Sequence, residues 1–200
     1  MKEILKIKKN NNIYLIEDCS QSHGAKFNHI YTGNFGIASS FSCFPTKNLG
    51  ALGDAGIVTT NNKEINNIIK SLRNYGSSKK YEFRYFGYNN RLDEIQAFFI
   101  LDKLSKLNKI NNHKRKLADI YNSELTSKFI KPVSYNNRYN VYHIYPIRID
   151  KRNKLRNYLL SKGVKTEIHY PIPPHKQKSM INKFGKQNFP ITEKIHNTIL

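Results

Sequence analysis

Short apolar runs bounded by Gly, Asp, Asn and Pro alternate with longer stretches whose apolar residues recur every three or four positions, the pattern of an α/β chain. Residues 2–10 predict the tail of a helix, and Ile13-Tyr14-Leu15-Ile16 predicts a strand ending at Glu17-Asp18. Gly24 to Gly36 is rich in turn formers and predicts a hairpin around His29 to Gly33, followed by a strand over Ile37 to Cys43. That strand breaks at Pro45, presents Lys47 and runs into the turn Gly53-Asp54-Ala55-Gly56. A strand over Ile57 to Thr60 comes next. Asn61 and Asn62 then cap a helix from Lys63 to Arg73, with Ile65, Ile68, Ile69 and Leu72 on one face.

Residues 74–90 form a loop rich in Gly, Tyr and Lys, too long for a plain connector. From Leu92 to about Ser127 the pattern is helical, with Asp93 placed to favour the first helix's dipole and a second helix beginning near Asn112. Pro132 marks a boundary. Beyond it the pattern predicts a strand over Val141 to Ile149, a helix over Arg152 to Lys162, a glycine cap at Gly163 and a strand over Val164 to Ile168. The proline-rich run from His169 to His175 is stiff, and residues 191–200 read as an unfinished helix.

A chain of 200 residues, 38% of them hydrophobic, can bury one good core or two small ones. The net charge of +20 would ordinarily raise nucleic acid as a partner. Here the lysines are scattered among Asn and Ile, as in Lys6-Ile7-Lys8-Lys9-Asn10, and form no stripe that would follow a phosphate backbone, so no nucleic-acid partner is expected. No apolar run of about 18 residues is present, and Met1-Lys2-Glu3-Ile4 lacks a signal-peptide core; a cytoplasmic protein without a membrane partner is expected. Cys19 and Cys43 read as small buried thiols. Cys19 and His23 have no second pair to complete a metal site, so none is expected.

Two residues suggest chemistry. Lys47 follows a buried strand beside Phe44 and Leu49, where desolvation would leave a neutral, nucleophilic amine able to form a Schiff base with an aldehyde cofactor. The plain alternative is one surface lysine among many. Asp18 stands at the end of a strand, where ligands gather in open α/β sheets. A pyridoxal 5'-phosphate site requires such a lysine for the aldehyde and such a carboxylate for the pyridine nitrogen.

The strings IEDCSQSHGA, SFSCFPTKNLGALGDAG, LRNYGSSKKY, GYNNRLDEIQA and IHYPIPPHKQ, in this order between residues 16 and 177, resemble the DegT-type nucleotide-sugar aminotransferases of fold-type I. The likeness is greatest to those that aminate C3 of dTDP-3-keto-6-deoxyhexoses. The resemblance implies an α/β fragment of the fold-type I fold: part of a three-layer αβα large domain over 1–110, a linking helix over 111–130, and part of a small αβ domain over 131–200. It implies roughly 140 residues of large domain ahead of this point, with the helix-start loop that cradles the cofactor phosphate.

It also implies roles. Lys47 holds the cofactor and is the catalytic base, Asp18 pairs with the ring nitrogen, Gln21 lies against the ring or its 3-oxygen, and Ser42 binds the phosphate. Asn89 reaches the phosphate of the neighbouring subunit in a homodimer. Phe44, Lys80, His169 and Tyr170 border the nucleotide-sugar, with L-glutamate as amino donor. Phe44 stands where the close subgroup often has Tyr, which loosens the substrate assignment more than the cofactor assignment. Lys47 argues against the sugar dehydratases of the same family, in which His replaces the lysine. The rival from another class is a non-catalytic remnant that folds or dimerises without binding cofactor.

Overall fold

The computed structural model describes residues 1–200, in two compact units, one of residues 1–117 with 134–143 and the other of residues 118–133 with 144–200. In chain order the elements are helix α1 (Lys2–Asn11), strands β1 (Ile16–Asp18), β2 (Lys26–Phe27), β3 (Ile30–Tyr31), β4 (Ala38–Ser42) and β5 (Gly56–Thr59), and helix α2 (Lys63–Leu72). There follow β6 (Ser77–Lys79), β7 (Glu82–Phe83), α3 (Glu94–Glu124), β8 (Arg138–Tyr139), α4 (Arg152–Ser161), α5 (Ile181–Phe184) and α6 (Pro190–Thr198). No helix is long and apolar enough to cross a membrane.

The first unit is built on a sheet of order β1-β4-β5, in which β4 runs parallel to β1 and antiparallel to β5. The first strand begins three residues later than the apolar run predicts. Asn12 closes α1 in a left-handed conformation, and Ile13 and Tyr14 stay exposed. Ladder pairing starts only at Ile16, opposite Ala38. Alternation along the strand then sends Glu17 inward and Asp18 outward. The buried Glu17 carboxylate accepts hydrogen bonds from the backbone N–H of Phe35 (2.7 Å), Gly36 (2.8 Å) and Gly33 (2.9 Å) and from Ser39 Oγ (3.2 Å). It thereby fixes the loop that leads into β4. The expected hairpin is the β2–β3 pair, turning at Asn28 and His29, both with positive φ, and β8 extends it on the other side.

The segment Glu94–Glu124 is one helix of 31 residues, not two. The helix start expected near Asn112 does not occur. Asn111 instead points into the core and is fully hydrogen-bonded there, so tertiary contacts override local preference. The expected linking helix over 111–130 is thus the last part of this longer helix, which ends at Glu124, and the division between units falls within it after Leu117. One face of α3 packs Ile100 and Leu107 onto Cys43, Leu49 and Ala51 and forms the main core.

In the second unit, α4 ends as expected at Gly163, whose φ is +78°. The Gly163 and Val164 N–H groups return to the carbonyls of Leu160 (3.0 Å) and Leu159 (2.9 Å). Two expected strands are absent. Val141–Ile149 is interrupted by the positive φ of Tyr142, and only its end is tied: Arg148 exchanges backbone bonds with Ile130, and Ile147 with Leu200. Val164–Ile168 is irregular, because the Val164 N–H is spent on closing α4 and no ladder partner lies beside the segment.

Candidate active site

Lys47 sits in a tight turn just beyond β4, with its N–H donated to the Phe44 carbonyl (2.9 Å). The turn closes on itself at Gly50, where a Cβ would run into the Pro45 carbonyl oxygen; this close approach requires glycine. Helix α3 grips the same turn through Lys103 Nζ, donating to the Gly50 carbonyl (2.6 Å), and through Gln96, whose Oε1 accepts from the Gly53 N–H (2.9 Å) and whose Nε2 donates to the Asp54 carbonyl (3.2 Å). Lys47 is half-buried.

Lys47, Ser42 and Phe44 line one cavity of about 1040 Å³ between the sheet and α2. Ser42 accepts from the Phe44 N–H (3.4 Å), and the Phe44 ring is 47% exposed. Three further cations, Lys70, Arg73 and Arg91, share the wall, with Asp54 the one acid. Such a wall favours an anion. Arg91 is held by Asn74 Oδ1 (3.1 Å) and over the Tyr75 ring (5.1 Å). Arg73, Asn90 and Arg91 stand out only once the fold brings α2 and the 88–92 segment to the Lys47 turn.

Asp18 and Gln21 are exposed and do not line that cavity. Asp18 leaves the neighbouring parallel strand and pairs with Ser40 in register. Its carboxylate accepts from Ser20 Oγ (2.5 Å) and the Ser20 N–H (3.0 Å). These bonds hold its carboxyl below the usual range, and the Lys47 charge adds to the effect. The same charge reaches His23, whose pKa is lowered first by burial and then by Lys47. Asp18 and His23 therefore each lie within electrostatic reach of Lys47. His23 packs on the Phe41 ring (centroids 5.4 Å apart), and neither ring nitrogen has a hydrogen-bond partner.

The remaining expected residues lie elsewhere. Asn89 is exposed and bridges backbone to backbone with Asn74. Lys80, on the β6–β7 hairpin, rests over its neighbour Tyr81 (5.2 Å), and both are exposed. His169 and Tyr170 belong to the second unit. His169 lines a separate, largely apolar cavity of about 440 Å³, and the Tyr170 carbonyl receives His196 Nδ1 (2.5 Å).

A parallel strand pair thus ends in an acid and a serine, and the lysine turn that follows faces a cation-lined cavity. The sequence pattern of the DegT/DnrJ/EryC1/StrS aminotransferase family matches residues 1–200, and the chain belongs to that family. It is 43% identical over 201 residues to a dTDP-3-amino-3,6-dideoxy-alpha-D-galactopyranose transaminase of Aneurinibacillus thermoaerophilus, covering 100% of this chain and 55% of that protein. It is 33% identical over 201 residues to a UDP-N-acetyl-3-dehydro-alpha-D-glucosamine 3-aminotransferase of Acidithiobacillus ferrooxidans, covering 100% of this chain and 54% of that one. Among solved structures, Streptomyces venezuelae DesV, in complex with a ketimine intermediate, superposes with a TM-score of 0.94 at 32% identity, over 100% of this chain and 54% of DesV. The chain spans about half the length of the relatives it matches. The fold is part of the fold-type I fold.

Proposed function

We propose that this chain carries the lysine half of a pyridoxal 5'-phosphate site and serves transamination of a nucleotide-linked ketosugar. The observation that carries the reading is that Lys47 and Ser42 share one cation-walled cavity while the Lys47 charge is felt at Asp18. The residues fit the cofactor. Asp18 is held anionic by Ser20, as a partner for a pyridinium N–H must be, and Ser42 with the surrounding cations suits a phosphate.

Pyridoxal phosphate, when bound, supplies an electron sink for a carbanion at the donor's Cα. Lys47 Nζ would hold the cofactor's aldehyde carbon and, as a free amine, would serve as general base for the proton at the donor's Cα. Asp18 would keep the ring nitrogen protonated, Gln21 would lie against the ring or its 3-oxygen, and Ser42 would bind the phosphate. Asn89, exposed on its loop, would donate to the cofactor phosphate of the neighbouring subunit in a homodimer. Phe44 would border the sugar nucleotide from the Lys47 cavity, while for Lys80, His169 and Tyr170 the family resemblance is the support.

The substrate of the whole enzyme is a dTDP-linked 3-keto-6-deoxyhexose and the donor L-glutamate, giving a 3-amino-3,6-dideoxyhexose for a surface polysaccharide, made in the cytoplasm. The name of the Aneurinibacillus relative supports the dTDP handle, and that of the Acidithiobacillus relative supports amination at C3. Adding pyridoxal phosphate should produce a band near ~420 nm. L-glutamate should then bleach it with release of 2-oxoglutarate, and a panel of dTDP- and UDP-ketosugars should restore it selectively. The alternative is a chain that folds or dimerises without binding cofactor. It predicts no band at any concentration of added cofactor, and exposed Ile16 and Val58 on the sheet favour it in the chain taken alone.

A further inference from the structure

We propose that Asn111 is a positioning residue for this reaction: its carboxamide ties the turn that carries Lys47 to the loop that follows Asp18. The inference rests on the functional reading above and adds to it a residue far along the chain.

Beyond the ends of β1 and β4, where Asp18 and Ser42 sit, little of the sheet ladder remains to hold the two chain segments together. The Cys19 N–H to the Ser40 carbonyl (2.8 Å) is the last such bond. The relative placement of the Lys47 amine and the Asp18 carboxylate therefore needs a tie outside the sheet. Asn111, 1% exposed on α3, supplies one. Its Nδ2 donates to the His23 carbonyl (2.9 Å), five positions past Asp18, and its Oδ1 accepts from Asn48 Nδ2 (2.8 Å), next to Lys47. Asn48 Nδ2 also donates to the Val141 carbonyl (3.0 Å).

The direction of this relay is fixed, because both of its ends are backbone carbonyls, which only accept. Gly24 makes the approach possible. Its φ is +80°, and a Cβ there would lie 2.8 Å from Asn111 Nδ2. All four residues lie in the first unit, and their anchor is the middle of a 31-residue helix, the stiffest element available. A site held within a fraction of an ångström by locked supporting residues is what Schiff-base chemistry at one amine demands.

The test compares the full chain with Asn111→Leu, Asn111→Asp and Ile100→Ala. Asn111→Asp keeps the acceptor for Asn48 and loses the donor to His23. Ile100 packs in the same core against Cys43, Leu49 and Ala51, so its truncation loosens the Lys47 turn alone. The first readout, without cofactor, is hydrogen exchange at the amides of Lys47 and Ala51 in the turn and of Ser22 and Ala25 in the loop. Asn111→Leu should speed both sets by at least about tenfold, the change expected from losing a buried hydrogen bond. Asn111→Asp should speed the Ser22 and Ala25 set more, and Ile100→Ala the Lys47 and Ala51 set only. The second readout is the pH midpoint of the ~420 nm band with added pyridoxal phosphate. Both Asn111 variants should move it further than Ile100→Ala does, because only they release the turn from the loop after Asp18.

Exchange that rises in one segment only in Asn111→Leu, or in both equally in Ile100→Ala, overturns the tie. A pH midpoint moved no further by Asn111 substitution than by Ile100→Ala reduces the residue to a structural one and overturns the positioning role. A wild-type chain that forms no band overturns the functional reading and the positioning role with it, while the exchange data still decide whether the tie exists.

Discussion

Glu17 and Asp18, adjacent in sequence, have opposite fates because a strand alternates its faces. Glu17 becomes a buried structural carboxylate and Asp18 an exposed one beside Ser20, outside the cavity that Lys47 lines. The Glu17 carboxylate satisfies three backbone N–H groups of the 33–36 loop, so Glu17→Ala should cost about 3 kcal/mol of stability, measured by urea unfolding. His23 gives the pH dependence. Its folded pKa lies below its unfolded value of about 6.5, so the unfolded chain binds the extra proton first and stability falls as pH drops below that value. Replacing His23 with Gln should flatten the slope of unfolding free energy below about pH 6.5. An unchanged slope would place the titration elsewhere. At this scale Asp18 and Lys47 read from the sequence as chemistry-bearing types in suggestive places, and Ser42 only through the family resemblance. The parts played by Glu17, His23 and Asn111 were not legible, since nothing local distinguishes a buried polar residue from an exposed one.

At the scale of elements, what decides local structure is where the backbone bonds go. α2 forms where expected, because Asn62 caps it through Oδ1 to the Ile65 N–H (3.0 Å) and its apolar residues share a face. The Val141–Ile149 and Val164–Ile168 stretches have strand-like composition yet find no ladder partner, and pairing is a property of neighbours that a local pattern cannot hold. Two glycines make the contrast testable. Gly163→Ala meets open space and has only its positive φ to oppose it, so it should cost about 1 kcal/mol. Gly50→Ala meets backbone in the Lys47 turn and should cost more than about 3 kcal/mol or displace the turn, with loss of cofactor binding. Thermal unfolding of the two variants separates the cases.

For the molecule as a whole, five short strings in a fixed order carried the family, and the family carried the fold; hydrophobic periodicity alone yielded only an α/β class. Convergence of residues distant in sequence is what the structure adds: Ser42 and Lys47 meet Arg73 and Arg91 across one cavity. The central claim, that one amine among the 34 basic side chains takes the cofactor aldehyde, has a direct test. The chain is incubated with pyridoxal phosphate, reduced with borohydride, digested and read by mass spectrometry. The account predicts a phosphopyridoxyl group concentrated on the peptide bearing Lys47, and its loss in Lys47→Ala. Label spread evenly over surface lysines, or persisting at the same level in Lys47→Ala, would contradict it.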